Sequence, residues 1–195
     1  MKIRSAEFVQ SGTGPGSFPG DARPELAFAG RSNVGKSTLM NRLLNRKTLV
    51  KVSKTPGKTR TVNFFLINGE FYFVDLPGYG FARVPEAVRL SWKKMVESFL
   101  TARKSLAGVI LLVDIRRNPA PEDLIMKEWL QNLGIPFVMV ATKSDKLKRG
   151  EKAKALSELK RAFGREEIIP SSSLSGEGRE EIWSALYRLL ARHSC

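Results

Sequence analysis

The stretch Gly30-Arg31-Ser32-Asn33-Val34-Gly35-Lys36-Ser37 constrains this chain more than any other. It follows the short apolar run Leu26-Ala27-Phe28-Ala29 and opens the segment Lys36 to Asn45, whose pattern predicts a helix. A buried strand, a glycine-bounded turn and a helix in that order point successive backbone N–H groups at one spot. The positive end of the helix dipole is aimed there too, which suits a polyphosphate. All eight residues, Gly30, Arg31, Ser32, Asn33, Val34, Gly35, Lys36 and Ser37, are therefore expected nucleotide contacts. Lys36 is expected to bridge the β- and γ-phosphates, and the Ser37 hydroxyl to bind Mg²⁺.

A second signal is Asp75-Leu76-Pro77-Gly78, which closes the apolar run Phe71–Asp75. Asp75 is expected to hold Mg²⁺ through a water, and Leu76 and Pro77 to line the phosphates. Gly78 can offer its N–H to a γ-phosphate with no Cβ in the way. Loss of that phosphate would release the loop, so hydrolysis becomes a conformational change.

A third signal, Thr142-Lys143-Ser144-Asp145, follows the apolar run Pro136–Ala141 and is similar to the N-K-x-D guanine motif. A carboxylate there accepts from both N1–H and the 2-amino group of guanine. Adenine lacks that donor pair, and an unpaired buried group costs about 1–3 kcal/mol. The alternative is a strand-to-helix loop with a capping aspartate. Ser172, Ser173 and Leu174, in the run Ser171-Ser172-Ser173-Leu174, are expected to meet the guanine O6 through the backbone. A serine-rich turn is the plainer reading of that run. In Thr55-Pro56-Gly57-Lys58-Thr59-Arg60-Thr61 we expect the switch loop, with Gly57, Lys58, Thr59, Arg60 and Thr61 near the nucleotide. Thr59 is chosen as the Mg²⁺ hydroxyl, with Thr55 and Thr61 as alternatives. Lys36, Thr59 and Gly78 form the expected catalytic set, and Ser37, Thr59 and Asp75 the metal set.

Around these motifs strand and helix alternate. Val62–Ile67 and Phe71–Asp75 flank Asn68-Gly69, a strong hairpin signal. Further strands are predicted at 108–114, 136–141 and 168–170. Helices are predicted at 86–102, 122–133, 150–163 and 177–192. Ile125, Trp129 and Leu133 are taken as the apolar stripe of the second of these, and Ile182, Leu186, Leu189 and Leu190 as that of the last. The pattern predicts a doubly wound α/β fold whose six-stranded sheet is mostly parallel, with one antiparallel hairpin at its edge. Residues 1–23, rich in Gly and Pro over 11–25, read as a flexible arm before a single domain over 24–195.

Charge narrows the partner. The 195 residues carry a formal net charge of +14, which points to a polyanion, nucleic acid before an acidic membrane. No acidic residue lies between Glu25 and Glu70, where Arg31, Lys36, Arg42, Arg46, Lys47, Lys51, Lys54, Lys58 and Arg60 fall. A second cluster is Lys143, Lys146, Lys148, Arg149, Lys152 and Lys154. The one cysteine, Cys195, has no disulfide partner, and no secretory signal is seen, so a reducing cytoplasm is expected. The ends, Met1-Lys2-Ile3 and Ala191-Arg192-His193-Ser194-Cys195, carry no lipidation motif. That argues against a membrane-trafficking role and for no stable membrane contact.

Together these residues resemble the Era and TrmE group of P-loop GTPases. They most closely resemble its EngB (YihA/YsxC) family of bacterial ribosome-assembly GTPases. The likeness is carried by Phe28 to Ser37, Lys54 to Thr59, Asn63-Phe64-Phe65, Asp75-Leu76-Pro77-Gly78-Tyr79-Gly80, Asp114-Ile115-Arg116 and Thr142 to Asp145. Thr142 departs from the general motif and agrees with this family. The resemblance implies a Ras-like fold, GTP/GDP and Mg²⁺ binding, and late assembly of the large ribosomal subunit on its rRNA, by a monomer. It also implies a need for the protein in normal division and septation. Tyr79 stands where many small GTPases have a water-positioning glutamine, so turnover is expected to be slow. By analogy with the TrmE group, Asn33 is a candidate K⁺ ligand. Arg60 and Arg83 are alternative sources of positive charge.

Overall fold

The computed structural model describes residues 2–50, 61–80, 86–164 and 167–193. Seven strands form one sheet: β1 (Ala6–Gly12), β2 (Glu25–Gly30), β3 (Val62–Ile67), β4 (Phe71–Asp75), β5 (Leu106–Asp114), β6 (Phe137–Thr142) and β7 (Ile169–Ser171). Their order across the sheet is β1-β3-β4-β2-β5-β6-β7. β2, β4, β5, β6 and β7 pair in parallel, while β3 is antiparallel to both of its neighbours.

Five helices cover the two faces: α1 (Lys36–Leu43), α2 (Glu86–Ala102), α3 (Pro121–Asn132), α4 (Arg149–Phe163) and α5 (Arg179–His193). Leu39, Met40 and Leu43 of α1 pack with Ile182, Trp183 and Leu186 of α5 on one face. Val96 and Phe99 of α2, Met126 and Leu130 of α3, and Leu159 and Phe163 of α4 pack on the other. β2 alternates between these cores, Leu26 and Phe28 to the first and Ala27 and Ala29 to the second. A strand buried on both faces carries no polar alternation, which is why Leu26 to Ala29 is a plain apolar run.

The hairpin forms where Asn68-Gly69 predicted it, both residues in the left-handed region at φ 52° and 73°. It is not the sheet edge. The expected six strands are seven, because β1 pairs antiparallel outside β3. The reading of residues 1–23 as a flexible arm is corrected at the same point. The Asn68 side chain accepts from the backbone N–H groups of Arg4 and Ser5, at 2.8 and 3.1 Å. Phe18 is buried between Phe64 and Phe99, with ring centroids 5.3 and 5.7 Å away. Buried Glu25 pairs with Arg103, which also donates to Pro19 O at 3.0 Å. β1 is hard to see in sequence because Phe8 and Val9 stay exposed, leaving no buried alternation to detect.

In α3 the buried stripe is Asp123, Met126 and Leu130, whereas Ile125 is 59% exposed. The expected stripe through Ile125 and Leu133 is therefore rotated off the core, and Trp129 packs only at its margin. Asp123 turns inward because Tyr79 and the helix start claim its carboxylate, as described below.

The parallel strands end on one side of the sheet. Register places Phe28 beside Asp75, Gly30 beside Leu112, and Asp114 beside Thr142, which in turn lies beside Ser171. The described residues of the expected motifs therefore meet at the carboxyl ends of the strands, where open α/β sheets bind ligands.

Candidate nucleotide site

The phosphate loop runs from the end of β2 into α1. Gly30 approaches β5 so closely that a Cβ would lie 2.9 Å from Leu112 O. Gly35 has φ 108°, where an L side chain is strained. Val34 N–H donates to Arg31 O at 3.1 Å, closing the turn. Lys36 is buried at the start of α1 and forms an ion pair with Asp75 at the end of β4. Burial pulls the Lys36 ammonium down to about 7, and an anionic phosphate beside it would restore the charge. Ser37 is half-buried on the first turn.

The Asp75–Gly80 segment is zipped to this loop. Tyr79 O accepts from Ser32 N–H at 2.9 Å, and Tyr79 N–H donates to Gly30 O at 3.3 Å. At Gly78 a Cβ would lie 3.1 Å from the Ser32 backbone, so a side chain there would crowd the two loops and push them apart by a few tenths of an ångström. Leu76 is buried in the core, with its N–H donated to Phe28 O at 3.2 Å. The Tyr79 ring is buried, and its hydroxyl donates to Asp123 Oδ1 at 2.8 Å. Burial and the Asp123 charge push the phenol well above its usual range. The Arg31 side chain leaves the phosphate side and lies over Gly80, where a Cβ would come within 2.7 Å of its Nε.

On the base side, the Thr142 hydroxyl is buried, 2.7 Å from Val34 O and 3.1 Å from Val113 O. It ties β6 to the phosphate loop. Lys143, at φ 64°, donates from Nζ to Asn33 O at 2.7 Å and to Asp114 Oδ2 at 2.9 Å. Asp145 Oδ1 accepts from the Ser172 hydroxyl at 2.7 Å. That bond, with Lys146 adding to it against a smaller effect of burial, holds the Asp145 carboxyl below its usual range. Ser172 Oγ in turn accepts from Leu174 N–H and Ser175 N–H, at 3.2 and 3.1 Å, which shapes the last loop around Asp145. Ser173 is half-buried there and Leu174 is 76% exposed. An exposed apolar side chain next to a carboxylate acceptor suits the face and edge of a planar base.

Ser144, expected near the base, ties its loop to the start of α5. It is buried, and its hydroxyl donates to Glu177 Oε2 at 2.7 Å, while Lys152 holds the other Glu177 oxygen at 2.6 Å. Thr61 donates to Asn63 Oδ1 at 3.1 Å, at the start of β3. Gly57, Lys58, Thr59 and Arg60, with Thr55 and Arg83, lie outside the described residues. Pro77 and Gly78 follow Asp75 in the segment against the phosphate loop.

Sequence reasoning assigned no role to Asp114. It accepts from Lys143 and, through both oxygens, from the Arg116 guanidinium at 2.9 and 2.7 Å. Burial pushes the Asp114 carboxyl up, but the bonds from Arg116 and Lys143 outweigh it and hold it at about 2. Its signals in sequence were its place, a carboxylate closing a buried strand, and its membership of the Asp114-Ile115-Arg116 segment that carries part of the family likeness. Asn41 was also missed. Its side chain brackets Val50 through C=O and N–H, at 2.9 and 2.8 Å, tying that residue to α1.

Among the described residues no group of three or more His, Cys, Asp or Glu could hold a metal ion. Ser37 and Asp75 offer one hydroxyl and one carboxylate, an oxygen-only set that fits Mg²⁺ sharing its shell with phosphate and water. No helix among the described residues is long and apolar enough to cross a membrane.

A parallel α/β sheet with a glycine-bounded phosphate loop, a D-x-x-G segment laid against it and a carboxylate-tipped base loop defines the P-loop GTPase class. A family model described as "50S ribosome-binding GTPase" matches residues 25–143. The chain is 51% identical over 193 residues to the probable GTP-binding protein EngB of Geobacter metallireducens, covering 98% of this chain and 95% of that protein. It is 50% identical over 193 residues to the protein of the same name from Geobacter sulfurreducens, with 98% and 94% covered. A crystal structure of a probable GTP-binding protein engB superposes with TM-score 0.73 at 27% identity, covering 86% of this chain and 99% of that one. The chain belongs to the EngB family of GTP-binding proteins.

Proposed function

We propose that this protein is a slow GTP-hydrolysing switch that assists late assembly of the large ribosomal subunit through its rRNA, in the cytoplasm, and that normal division and septation depend on it. The observation that carries the guanine reading is the Asp145 carboxylate. It accepts from Ser172 and is held below its usual range, in the loop that follows β6 at the same carboxyl ends of the strands as the phosphate loop. Asp145 accepts the two guanine donors, Lys143 lies along the base, and Lys36 with the loop N–H groups binds the phosphates. Ser37, Asp75 and Thr59 are the residues to hold Mg²⁺, which would neutralise charge on the phosphates.

Slow turnover follows from Tyr79. Its ring is committed to the α3 side of the sheet, so it does not stand where a water would attack. The same burial favours a second reading, an RNA-associated nucleotide-binding module with little turnover. Asn33, exposed in the phosphate loop, is the residue to test as a K⁺ ligand; single-turnover hydrolysis at equal rates in K⁺ and Na⁺ removes that role. The deciding experiment is sedimentation with purified large ribosomal subunits, in GDP and in a non-hydrolysable GTP analogue. Co-sedimentation that favours the analogue, with hydrolysis rising on added subunits, supports the switch. Equal binding in both nucleotides with no hydrolysis supports the module.

A further inference from the structure

We propose that Lys2, Arg4, Arg42, Arg46, Lys47 and Arg179 form one surface that grips the phosphodiester backbone of RNA. The proposal rests on the reading above that the partner is RNA, and it adds where on the molecule the RNA sits.

The fold assembles this surface from three distant segments. Arg46, just past the end of α1, donates from Nη2 to Arg4 O at 3.4 Å. The N-terminal segment is held there by Asn68, which bonds Arg4 N–H at 2.8 Å and Lys2 O at 3.3 Å. Arg179, the first residue of α5, donates to Arg42 O and Leu43 O at 3.3 and 3.1 Å and so closes the C-terminus of α1. The Arg42 guanidinium lies over Gly176, where a Cβ would come within 2.7 Å of it. Lys2, Arg4, Arg42, Arg46 and Lys47 are all exposed.

The charge here is uncompensated. Among the described residues none of the six forms an ion pair. Arg23, Arg103, Arg116, Lys152 and Arg188 elsewhere each have a carboxylate partner. The two arginines with hydrogen-bonding side chains in this patch donate to backbone carbonyls, which orient a guanidinium without cancelling its charge. The other basic region, α4, is different in kind: Glu151 and Glu158 are interspersed along it, and Lys152 is held by Glu177. Of the acids nearest in sequence, Glu180 and Glu181 sit in the first turn of α5, where the helix dipole favours them, Glu177 is held by Ser144 and Lys152, and Glu7 is exposed on β1 with no ion pair to Arg4 among the described residues.

Four of the six are arginines, whose planar fork matches phosphate oxygens in pairs. A lipid surface would call for exposed apolar side chains between the cations. Here the residues beside them, Leu43 and Leu44, are buried in the core. Arg42 and Arg179 stand on α1 and α5 and Arg4 at the entry to β1, so that part of the grip is expected to persist in both nucleotide states, while Arg46 and Lys47 lie past the end of α1 in the basic loop expected to move.

The test is filter binding of purified large-subunit rRNA over a range of KCl concentrations, using three variants. The triple substitution Arg42→Gln/Arg46→Gln/Lys47→Gln is expected to weaken binding at least about tenfold. It should also flatten the log–log salt slope by roughly 0.7 for each phosphate that is no longer neutralised. The double substitution Lys2→Gln/Arg4→Gln, in the N-terminal segment, is expected to act in the same direction and covers the case of a triple variant that folds poorly. The control Lys154→Gln/Lys160→Gln/Arg161→Gln, on α4, should stay within about threefold of the wild type. GDP affinity should be unchanged in all three. Equal losses in patch and control variants, or a loss confined to α4, overturn the placement and leave the RNA partner standing. Binding of the patch to vesicles containing anionic lipid in preference to rRNA also overturns it. Absence of any rRNA binding by the wild type removes the RNA reading and this surface together.

Discussion

The Tyr79 hydroxyl donates to Asp123 Oδ1 at 2.8 Å, and the other oxygen of that carboxylate accepts Ala120 N–H at 3.0 Å. One buried acid thus joins the D-x-x-G segment to the start of α3. The backbone of Tyr79 is bonded to Gly30 and Ser32 at the same time. The residue in the water-positioning place is a structural clasp. Burial raises the Asp123 carboxyl, against the bonds from Ala120 and Tyr79, so losing a donor there is costly.

Tyr79→Phe removes that donor and leaves a buried acceptor unpaired, which costs about 1–3 kcal/mol. For a chain of this size the melting temperature should fall by roughly 2–4 °C per kcal/mol, measured by calorimetry. Tyr79→Gln should lower it further, because a smaller polar side chain leaves a cavity. It should not raise single-turnover GTP hydrolysis more than about threefold, since the slot at residue 79 faces α3. A tenfold gain would show that the side chain reaches the γ-phosphate.

Asp145→Asn replaces an acceptor with a group that donates toward the guanine N1–H and 2-amino positions. GDP affinity should drop by roughly tenfold or more, the cost of one or two buried hydrogen bonds. Affinity for xanthosine diphosphate, which offers a carbonyl at that position, should rise. Displacement of a fluorescent nucleotide measures both, and an unchanged preference for guanine would move the base elsewhere.

Asp114 sets a pH dependence. Its carboxyl sits at about 2 in the fold against an ordinary value of 3.8. A depressed carboxylate contributes stability fully above the unfolded value, and the contribution is lost as pH falls from 3.8 toward 2. The wild type should therefore melt above Asp114→Asn by a constant margin near neutral pH. That margin should shrink as the pH is lowered through this window. A margin that does not change with pH would assign the effect to packing instead of charge.

Removal of residues 1–23 takes away β1, the Phe18 ring and the Pro19 carbonyl that Arg103 uses, and it leaves the edge of β3 unpaired. The truncated protein should melt lower and associate through the exposed strand edge. Light scattering and calorimetry check this. A fully monomeric, equally stable truncation would restore the picture of a loose arm.

Much of this was legible locally. The phosphate loop follows from glycines at fixed spacing between a strand and a helix. The hairpin follows from Asn68-Gly69, and the central strands from apolar runs too short for anything but a buried sheet. Two features were not legible for a shared reason. β1 buries too little to show a pattern and exists because β3 offers it a ladder. The buried face of α3 includes Asp123, and one of the two donors that hold that acid inward is Tyr79, distant in sequence.

The sequence by itself determined the class of ligand and the order of the elements, since backbone conformation and hydrophobic period act over a few residues. The tertiary structure alone decided which side chains act together. Thr142 is tied to Val34, Lys143 to Asn33 and Asp114, Ser172 to Asp145, and Arg179 to the end of α1. Each of these pairings spans a long stretch of chain and depends on strand order and register. No local spacing encodes such a pairing, because its geometry exists only once the sheet has closed around it.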